Sequence, residues 1–318
     1  MANTPESTAN PAAPADVRVK PKAQPKAPPK ANAKAKGKRP DLATFGGIGL
    51  ALAGIIGGLL LEKGSIADVA QATAAMIVLG GTFGAVLITT PMAVVVRAFK
   101  GIGAVFFERA DGMTETIEAL IQYAGKARKH GIVSLESDAT AVTDAFLRKA
   151  LNLAVDGTDM QELRKMMEID IAVGEHAAES EAKVWEAAGG YAPTIGIIGA
   201  VMGLIQVMKH LEDIKEVGHG IAVAFVATLY GVGVANIFFI PAATKLKART
   251  REASLRKDMI LEGVMGIVEG LNPTLIRMKL EAYQAAPAVS KKAKPAAAVD
   301  PGAEGAALKS GVAAAAKA

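Results

Sequence analysis

Four long stretches of this sequence contain no Asp, Glu, Lys or Arg, and they constrain the fold more than any other feature. Their most apolar parts are residues 42–61, 74–96, 187–208 and 221–240. About 20 apolar residues allow a helix to cross the hydrocarbon core of a bilayer. The sequence therefore predicts an all-α membrane protein with four transmembrane helices.

Lys and Arg are concentrated on one side of these spans. The segment before the first span is rich in Lys, Arg97 and Lys100 follow the second span, and Lys245 follows the fourth. Cytoplasmic loops of membrane proteins carry an excess of Lys and Arg. We therefore expect a multi-pass protein of the bacterial inner membrane, with both termini and the region between the second and third spans in the cytoplasm.

Composition and periodicity divide the rest of the chain. Both ends are rich in Ala, Pro and Lys and lack the large apolar side chains needed to offset the entropy of ordering, which predicts disordered tails. Between the second and third spans, apolar residues recur every three or four positions, as in Leu163, Met166 and Met167, which indicates a helical cytoplasmic domain. One of its helices is expected to begin after Thr158 or Asp159.

The predicted organisation has six parts. They are a disordered basic tail, 1–40; transmembrane helices 1 and 2, 41–96; a cytoplasmic helical domain, 97–186; transmembrane helices 3 and 4, 187–244; cytoplasmic C-terminal helices, 245–284; and a disordered tail, 285–318.

The composition excludes several kinds of chemistry. The 318 residues include no Cys, which rules out thiolate catalysis and Cys-ligated metals. The 4 His residues are scattered, and no His pair or carboxylate pair occupies a span, so metal or general acid–base chemistry lacks its groups. We expect no enzyme, no metal and no cofactor. Because the chain has membrane spans, we attribute its net charge of +5 to contact with the lipid membrane and not with nucleic acid.

The spans lack Asp, Glu, Lys and Arg but contain polar and small side chains. An intramembrane carboxylate is costly and is kept only where it is used, so a chain that lines an ion path without one must borrow it from another chain. Thr228 and Tyr230 are polar candidates in the fourth span. Small residues allow close helix packing in lipid, and we assign that role to Gly80, Gly81, Gly84, Gly196 and Gly199.

Two prolines bracket the last pair of spans. Pro193 is expected to open the third span and Pro241 to end the fourth. Ordinary helix punctuation explains both positions, because proline is tolerated in a first turn and is common beyond a last one. A functional role is left open at this point.

Several motifs together resemble the MotA and PomA family of flagellar stator subunits. The likeness covers roughly residues 41–283, with the motifs in family order. It is carried by Leu79–Ala85 in the second span, Ala192–Gly203 in the third, Thr228–Gly231 followed by Pro241 in the fourth, Ala127–Glu136 in the cytoplasmic region, and the tail motif from Glu262–Gly263 to Asn272–Pro273. The tail departs from the family at Thr274, where an Arg often stands.

This resemblance implies a machine and a set of partners. It implies a ring of MotA-like chains, five in number, around two MotB-like chains, which are single-span, peptidoglycan-binding proteins that supply the missing carboxylate. Ion flow through this assembly would drive rotation against a FliG-like rotor switch protein.

The resemblance also implies roles for individual residues. Arg128 and Glu136 would contact the rotor, and Pro193 and Pro241 would couple ion binding to movement. Thr228, Ala200 and Tyr230 would line the ion path. Sodium-driven relatives carry a Thr where this chain has Ala200, which predicts H⁺ as the coupling ion.

Two other functions compete with the stator. A proton-driven energiser of outer-membrane processes, of the ExbB or TolQ type, usually has three spans and lacks the Arg128–Glu136 segment and the tail motif. A passive membrane scaffold would have the same spans without ion flux.

Overall fold

The computed structural model describes residues 39–108 and 112–285, and almost all of them are helical. The helices are α1 (Leu42–Leu61), α2 (Ile66–Val69), α3 (Ala72–Thr89), α4 (Met92–Gly101), α5 (Gly103–Phe106), α6 (Met113–His130), α7 (Glu136–Ala141), α8 (Ala145–Val155), α9 (Met160–Lys209), α10 (Ile214–Val234), α11 (Ile240–Val268) and α12 (Pro273–Ala285). A 3₁₀ turn, Ile132–Leu135, precedes α7, and a π-helical turn, Ala235–Phe239, joins α10 to α11.

Four helices are long and apolar enough to cross a membrane, as the sequence predicts. They are α1, α3, α9 and the continuous helix from α10 through α11. The last two are much longer than a bilayer requires. At about 1.5 Å per residue, the 50 residues of α9 extend about 75 Å, of which a bilayer core spans about 30 Å. The all-α, four-span fold class is confirmed.

The predicted boundaries at 186/187 and 244/245 lie inside continuous helices. Helix α9 begins at Met160, where the side chain of Asp159 accepts the backbone N–H groups of Gln161 and Glu162 at 2.9 and 3.3 Å. The N-cap at Asp159 was one of the two predicted from the sequence. Each of α9 and α11 is therefore one continuous helix that extends on both sides of its predicted boundary.

The sequence analysis expected the second span to be one helix up to Val96, but the structure divides it. Helix α3 ends at Thr89, and α4 begins at Met92. The cause is Pro91, because a proline disfavours helical backbone at the residue before it. Thr90 accordingly has φ −132° and ψ 133°, which is extended backbone.

The segments 97–186 and 245–284, which lie outside the predicted spans, share one apolar core. Buried side chains of α6, α8 and the first turns of α9 pack with the end of α11 and with α12; examples are Leu120, Leu151, Leu163, Ile260 and Leu280. Two ion pairs tie α12 to this core, since Arg277 donates to both carboxylate oxygens of Glu118 at 2.6 and 2.8 Å and Lys279 donates to Glu262 at 3.0 Å.

The predicted tails lie outside the described residues, except for their innermost positions. Arg39–Pro40 is not an isolated tail end but a two-residue strand, paired antiparallel with Phe107–Glu108. Ala285 is the last residue of α12.

Candidate functional site

Helices α9 and α10 form the centre of the membrane part, and they run antiparallel. Gly203 lies against Gly220, Gly199 against Ala227, and Gly196 against Gly231. The residue numbers therefore increase along one helix and decrease along the other. Each step along an α-helix rotates the side chain by about 100° about the helix axis. In an antiparallel pair, the residues that directly follow the two contacting residues therefore point to the same side of the pair.

Ala200 and Thr228 therefore share one side of the α9–α10 pair, because each follows a member of the Gly199–Ala227 contact. Pro193 lies on that side too, since it precedes Ala200 by seven residues, about two helical turns. All three residues are partly exposed. We call this side, defined by Pro193, Ala200 and Thr228, the polar face.

The polar face carries a hydroxyl but no acid. The Thr228 hydroxyl donates to the carbonyl oxygen of Ala224, one turn back, at 3.2 Å, which leaves its oxygen able to accept. Residues 187–208 and 221–240 contain no Asp, Glu, His, Lys or Arg. A carboxylate at this level must therefore come from outside the two spans.

Tyr230 lies on the other side of the pair. Its hydroxyl donates to the carbonyl oxygen of Val69 at 2.5 Å and accepts the backbone N–H of Gln71 at 3.3 Å. These contacts join α10 to the link between α2 and α3. The assignment of Tyr230 to the ion path stays a prediction, and its geometry favours a role in anchoring this link.

Three of the five predicted packing glycines lie where helices meet. A Cβ added at Gly196 would lie 2.9 Å from the carbonyl oxygen of Ala227, and one at Gly199 would lie 2.8 Å from the Cβ of Ala227. A Cβ at Gly81, on α3, would lie 2.7 Å from Cγ2 of Ile195. A methyl group cannot be added at these positions unless a neighbour moves.

The other two glycines face open space within this chain. A Cβ at Gly80 or Gly84 would meet no described atom within 4 Å. The same holds for the six glycines of α1, a helix in which no residue is buried. A packing role for Gly80 and Gly84 stays a prediction.

Pro193 does not open the third membrane helix, contrary to the sequence-based expectation. It lies in the interior of α9, which begins at Met160. A proline in a helix interior lacks the N–H that would bond to the carbonyl four residues back, here that of Gly189. A role in starting a helix therefore does not explain Pro193.

Pro241 does not end the fourth helix, which was also expected to stop there. It is the second residue of α11, and the helix continues to Val268. The π-helical turn Ala235–Phe239 comes immediately before it, with the N–H of Ile240 bonded to the carbonyl oxygen of Ala235. Single π-helical turns within long helices occur frequently at functional sites.

Arg128 and Glu136 lie at the ends of two neighbouring helices in the segment between the second and third spans. Arg128 is in the last turn of α6, Glu136 is the first residue of α7, and both are exposed. The helices are tied together nearby, since Lys126 donates to Asp138 at 2.6 Å. The tie fixes the two helix ends relative to each other.

A charged cluster that the sequence analysis missed anchors α1. Asp41 caps α1 and forms ion pairs with Lys245 and, at 2.8 Å, with Arg249 on α11. Its backbone N–H also donates to the carbonyl oxygen of Phe106 at 2.9 Å. The hydrogen bond from Lys245, aided by the N–H of Thr44 and by both positive charges, lowers the pKa of Asp41 to about 2 against the effect of burial. The only signal in the sequence was an N-cap residue directly before a span.

Known protein families match both halves of this architecture. Residues 45–131 match the model of the motility protein A N-terminal region, and residues 138–259 match that of the MotA/TolQ/ExbB proton channel family. Motility protein A of Helicobacter pylori is 36% identical over 254 residues, which are 80% of this chain and 98% of the relative. The chain belongs to the motility protein A family.

Other members of the MotA family are similar over the same region. Chemotaxis protein PomA of Vibrio alginolyticus is 34% identical over 243 residues, 76% of this chain and 95% of that protein. A chain in the solved structure of C. jejuni MotAB superposes with a TM-score of 0.74 at 32% identity, covering 79% of this chain and 99% of that one. The resemblance to MotA and PomA stator subunits is confirmed, and the chain is a multi-pass membrane protein of this family.

Proposed function

We propose that this chain is the A subunit of a flagellar stator, which conducts ions together with a MotB-type partner and converts the flow into torque. One observation carries the proposal beyond family membership. The polar face of α9–α10 offers a hydroxyl and a proline but no acidic group. An ion path along this face is complete only with a carboxylate from a second protein, and a single-span partner with an Asp in its span supplies it. The activity is transport and not catalysis.

The α9–α10 pair faces this partner with its polar face, inside a ring of five copies. Four spans and the match to the motility protein A N-terminal model support a stator over an outer-membrane energiser. The chain acts in the bacterial inner membrane with both termini cytoplasmic, so that Arg128 and Glu136 meet a FliG-like rotor. A Cys introduced at Lys129 should react with a thiol reagent only from the cytoplasmic side.

Cross-linking tests the position of the partner. Because the chain contains no Cys, single thiols can be placed without background. Ala200→Cys should form a disulfide with a Cys placed beside the Asp of the partner's span. Ile198→Cys is the matched control, since Ile198 is exposed on the other side of α9. Equal cross-linking from both positions, or from Ile198→Cys alone, would contradict the assignment of the polar face.

The coupling ion is H⁺. Sodium needs several oxygen ligands to replace its hydration shell, whereas a proton needs only the partner's carboxylate and a chain of hydroxyl groups or water. Ala200 presents a methyl group on the polar face, and the Thr228 hydroxyl is partly engaged by Ala224.

A further inference from the structure

The two prolines of the coupling model are connected through one close contact. Gly189 on α9 stands four residues before Pro193, and Ile240 immediately precedes Pro241 on α11. A Cβ added at Gly189 would lie 2.6 Å from Cγ1 and 3.5 Å from the backbone N of Ile240. The smooth backbone surface at Gly189 thus lies directly against the first turn after the π-helical segment.

Aromatic rings surround this contact. Trp185, one turn before Gly189, packs edge-on against Phe238 at 5.9 Å and lies 6.0 Å from Phe239, the last two residues of the π-helical turn. On its other side, Trp185 meets Phe99 of α4 at 5.0 Å. Trp185 and Phe239 are each only 2% exposed. We call Gly189, Ile240, Trp185, Phe238 and Phe239 the joint.

The joint is continuous with the rest of the membrane part. Phe83 of α3 lies 5.8 Å from Phe239, and Phe106 of α5 lies 6.3 Å from Phe238 and 5.6 Å from Phe45 of α1. A change in the π-helical turn therefore acts directly on α3, α5 and α9, and through Phe106 and Trp185 on α1 and α4.

Two features indicate that the joint can change its arrangement. The π-helical turn is held by the bond from the N–H of Ile240 to the carbonyl of Ala235. Pro241 has no N–H, so it cannot bond to the carbonyl of Ile237 in α register or to that of Asn236 in π register. The indole N–H of Trp185 is buried and has no hydrogen-bond partner among residues 39–108 and 112–285. A buried unpaired donor in a native protein calls for an explanation, and a second state in which it finds an acceptor provides one.

We propose that the π-helical turn Ala235–Phe239 is a hinge whose movement slides Ile240 across Gly189, with Trp185 as the positioning residue that holds the joint together. This inference rests on the proposed stator function and deepens it. On the N-terminal side of the joint, α10 carries Thr228 of the polar face. On its C-terminal side, α11 continues to Met259 and Ile260 in the cytoplasmic core. Sliding at the joint transmits a change at the ion path to the rotor-facing domain.

A reversible lock tests the hinge. Gly189→Cys with Ile240→Cys creates the only two thiols in the chain, placed within reach of a disulfide. The test is run on the full complex with its partner in cells lacking other stators. Cells should rotate under reducing conditions, because the shorter side chain of Ile240→Cys leaves room for the added Cβ at Gly189. Oxidised cells should stop at least tenfold more often than cells that carry Ile240→Cys alone, and reductant should restore rotation. The disulfide is verified by peptide mass.

The outcomes separate the hinge from the stator function. Unchanged rotation in a complex shown to be cross-linked would overturn the hinge and leave the stator function standing. Failure of the unmodified chain to rotate cells would instead overturn the proposed function.

If no disulfide forms, two alanine variants decide the question. Gly189→Ala should assemble normally yet lose most of its torque. Gly190→Ala should behave as the unmodified chain, because a Cβ there meets nothing within 4 Å. Equal torque from both variants would overturn the hinge.

A substitution at Trp185 distinguishes a role in the hinge from a role in packing alone, because the two roles predict changes in different measured quantities. Trp185→Phe keeps an aromatic ring and removes the N–H. It should preserve assembly and change the load at which rotation stalls, whereas a purely structural Trp185 would change only the amount of assembled complex.

Discussion

Replacing Gly231 by Ala tests the packing on which the polar face depends. A Cβ at Gly231 would lie 2.5 Å from the carbonyl oxygen of Ala192 and 3.1 Å from the Cα of Gly196, both backbone atoms of α9. Carbon and oxygen in a close helix contact are normally at least about 3.3 Å apart. The two helices must separate by about 0.8 Å to accept the methyl group, since neither backbone atom can rotate away.

Gly233→Ala is the matched control for this change. It lies two residues further along α10, and a Cβ there meets nothing within 4 Å. Both substitutions gain helix propensity of about 1 kcal/mol, which cancels in the comparison. Overpacking costs about 1–3 kcal/mol, so the Gly231 variant should be less stable than the Gly233 variant by that amount.

Thermal unfolding of the purified chain in detergent measures this difference. The single Trp185 is buried and gives a fluorescence signal from the membrane part, and circular dichroism gives a second signal. A 1 kcal/mol loss lowers the unfolding midpoint by about 2–4 °C for a chain of this size, which predicts a gap of about 2–12 °C between the variants. Equal midpoints for Gly231→Ala and Gly233→Ala would refute the close approach of α9 and α10.

Three further changes test other parts of the molecule. Asp41→Asn should lower the unfolding midpoint at pH 7 and lower it much less at pH 2. The lowered pKa of Asp41 makes its contribution to stability fully present above about pH 4, the ordinary value, and lost as the pH falls through about 2. Asp68→Asn is the control, because Asp68 forms no ion pair within residues 39–108 and 112–285. An equal loss at both pH values would contradict the charge-based anchor. Reversing both Arg128 and Glu136 should slow rotation under load far more than either single reversal, because exposed ion pairs are individually weak; normal swimming at all loads in the double variant would remove both residues from the rotor contact. Swimming speed should collapse with a protonophore and be independent of external Na⁺ at fixed pH, and the opposite pattern would show that Ala200 does not determine the ion.

The sequence predicted the elements whose causes are local. Four charge-free stretches correspond to four membrane helices, and the cap at Asp159 lies at one of the two positions that the local sequence predicts. Each depends on neighbouring residues alone, which a pattern within one stretch of sequence contains.

Features that depend on distant residues were not predicted. Pro193 is typical of a helix start when only its neighbours are considered, but α9 continues through it and packs against α10 and α11. Pro91, which was not singled out, divides the second span instead. The partners of Tyr230 and of Asp41 lie about 160 and 200 residues away along the chain, so no local pattern reveals them.

Rotation of tethered cells tests the central claim most directly. In the bacterium that carries this gene, all stator genes are deleted, and this chain is then induced together with its MotB-type partner. The account predicts that paralysed flagella resume rotation in stepwise speed increments as complexes join the rotor, and that changing the Asp in the partner's span to Asn abolishes every step. Paralysis despite membrane assembly of both chains, or rotation that survives loss of that Asp, would contradict an ion path completed by the partner's carboxylate.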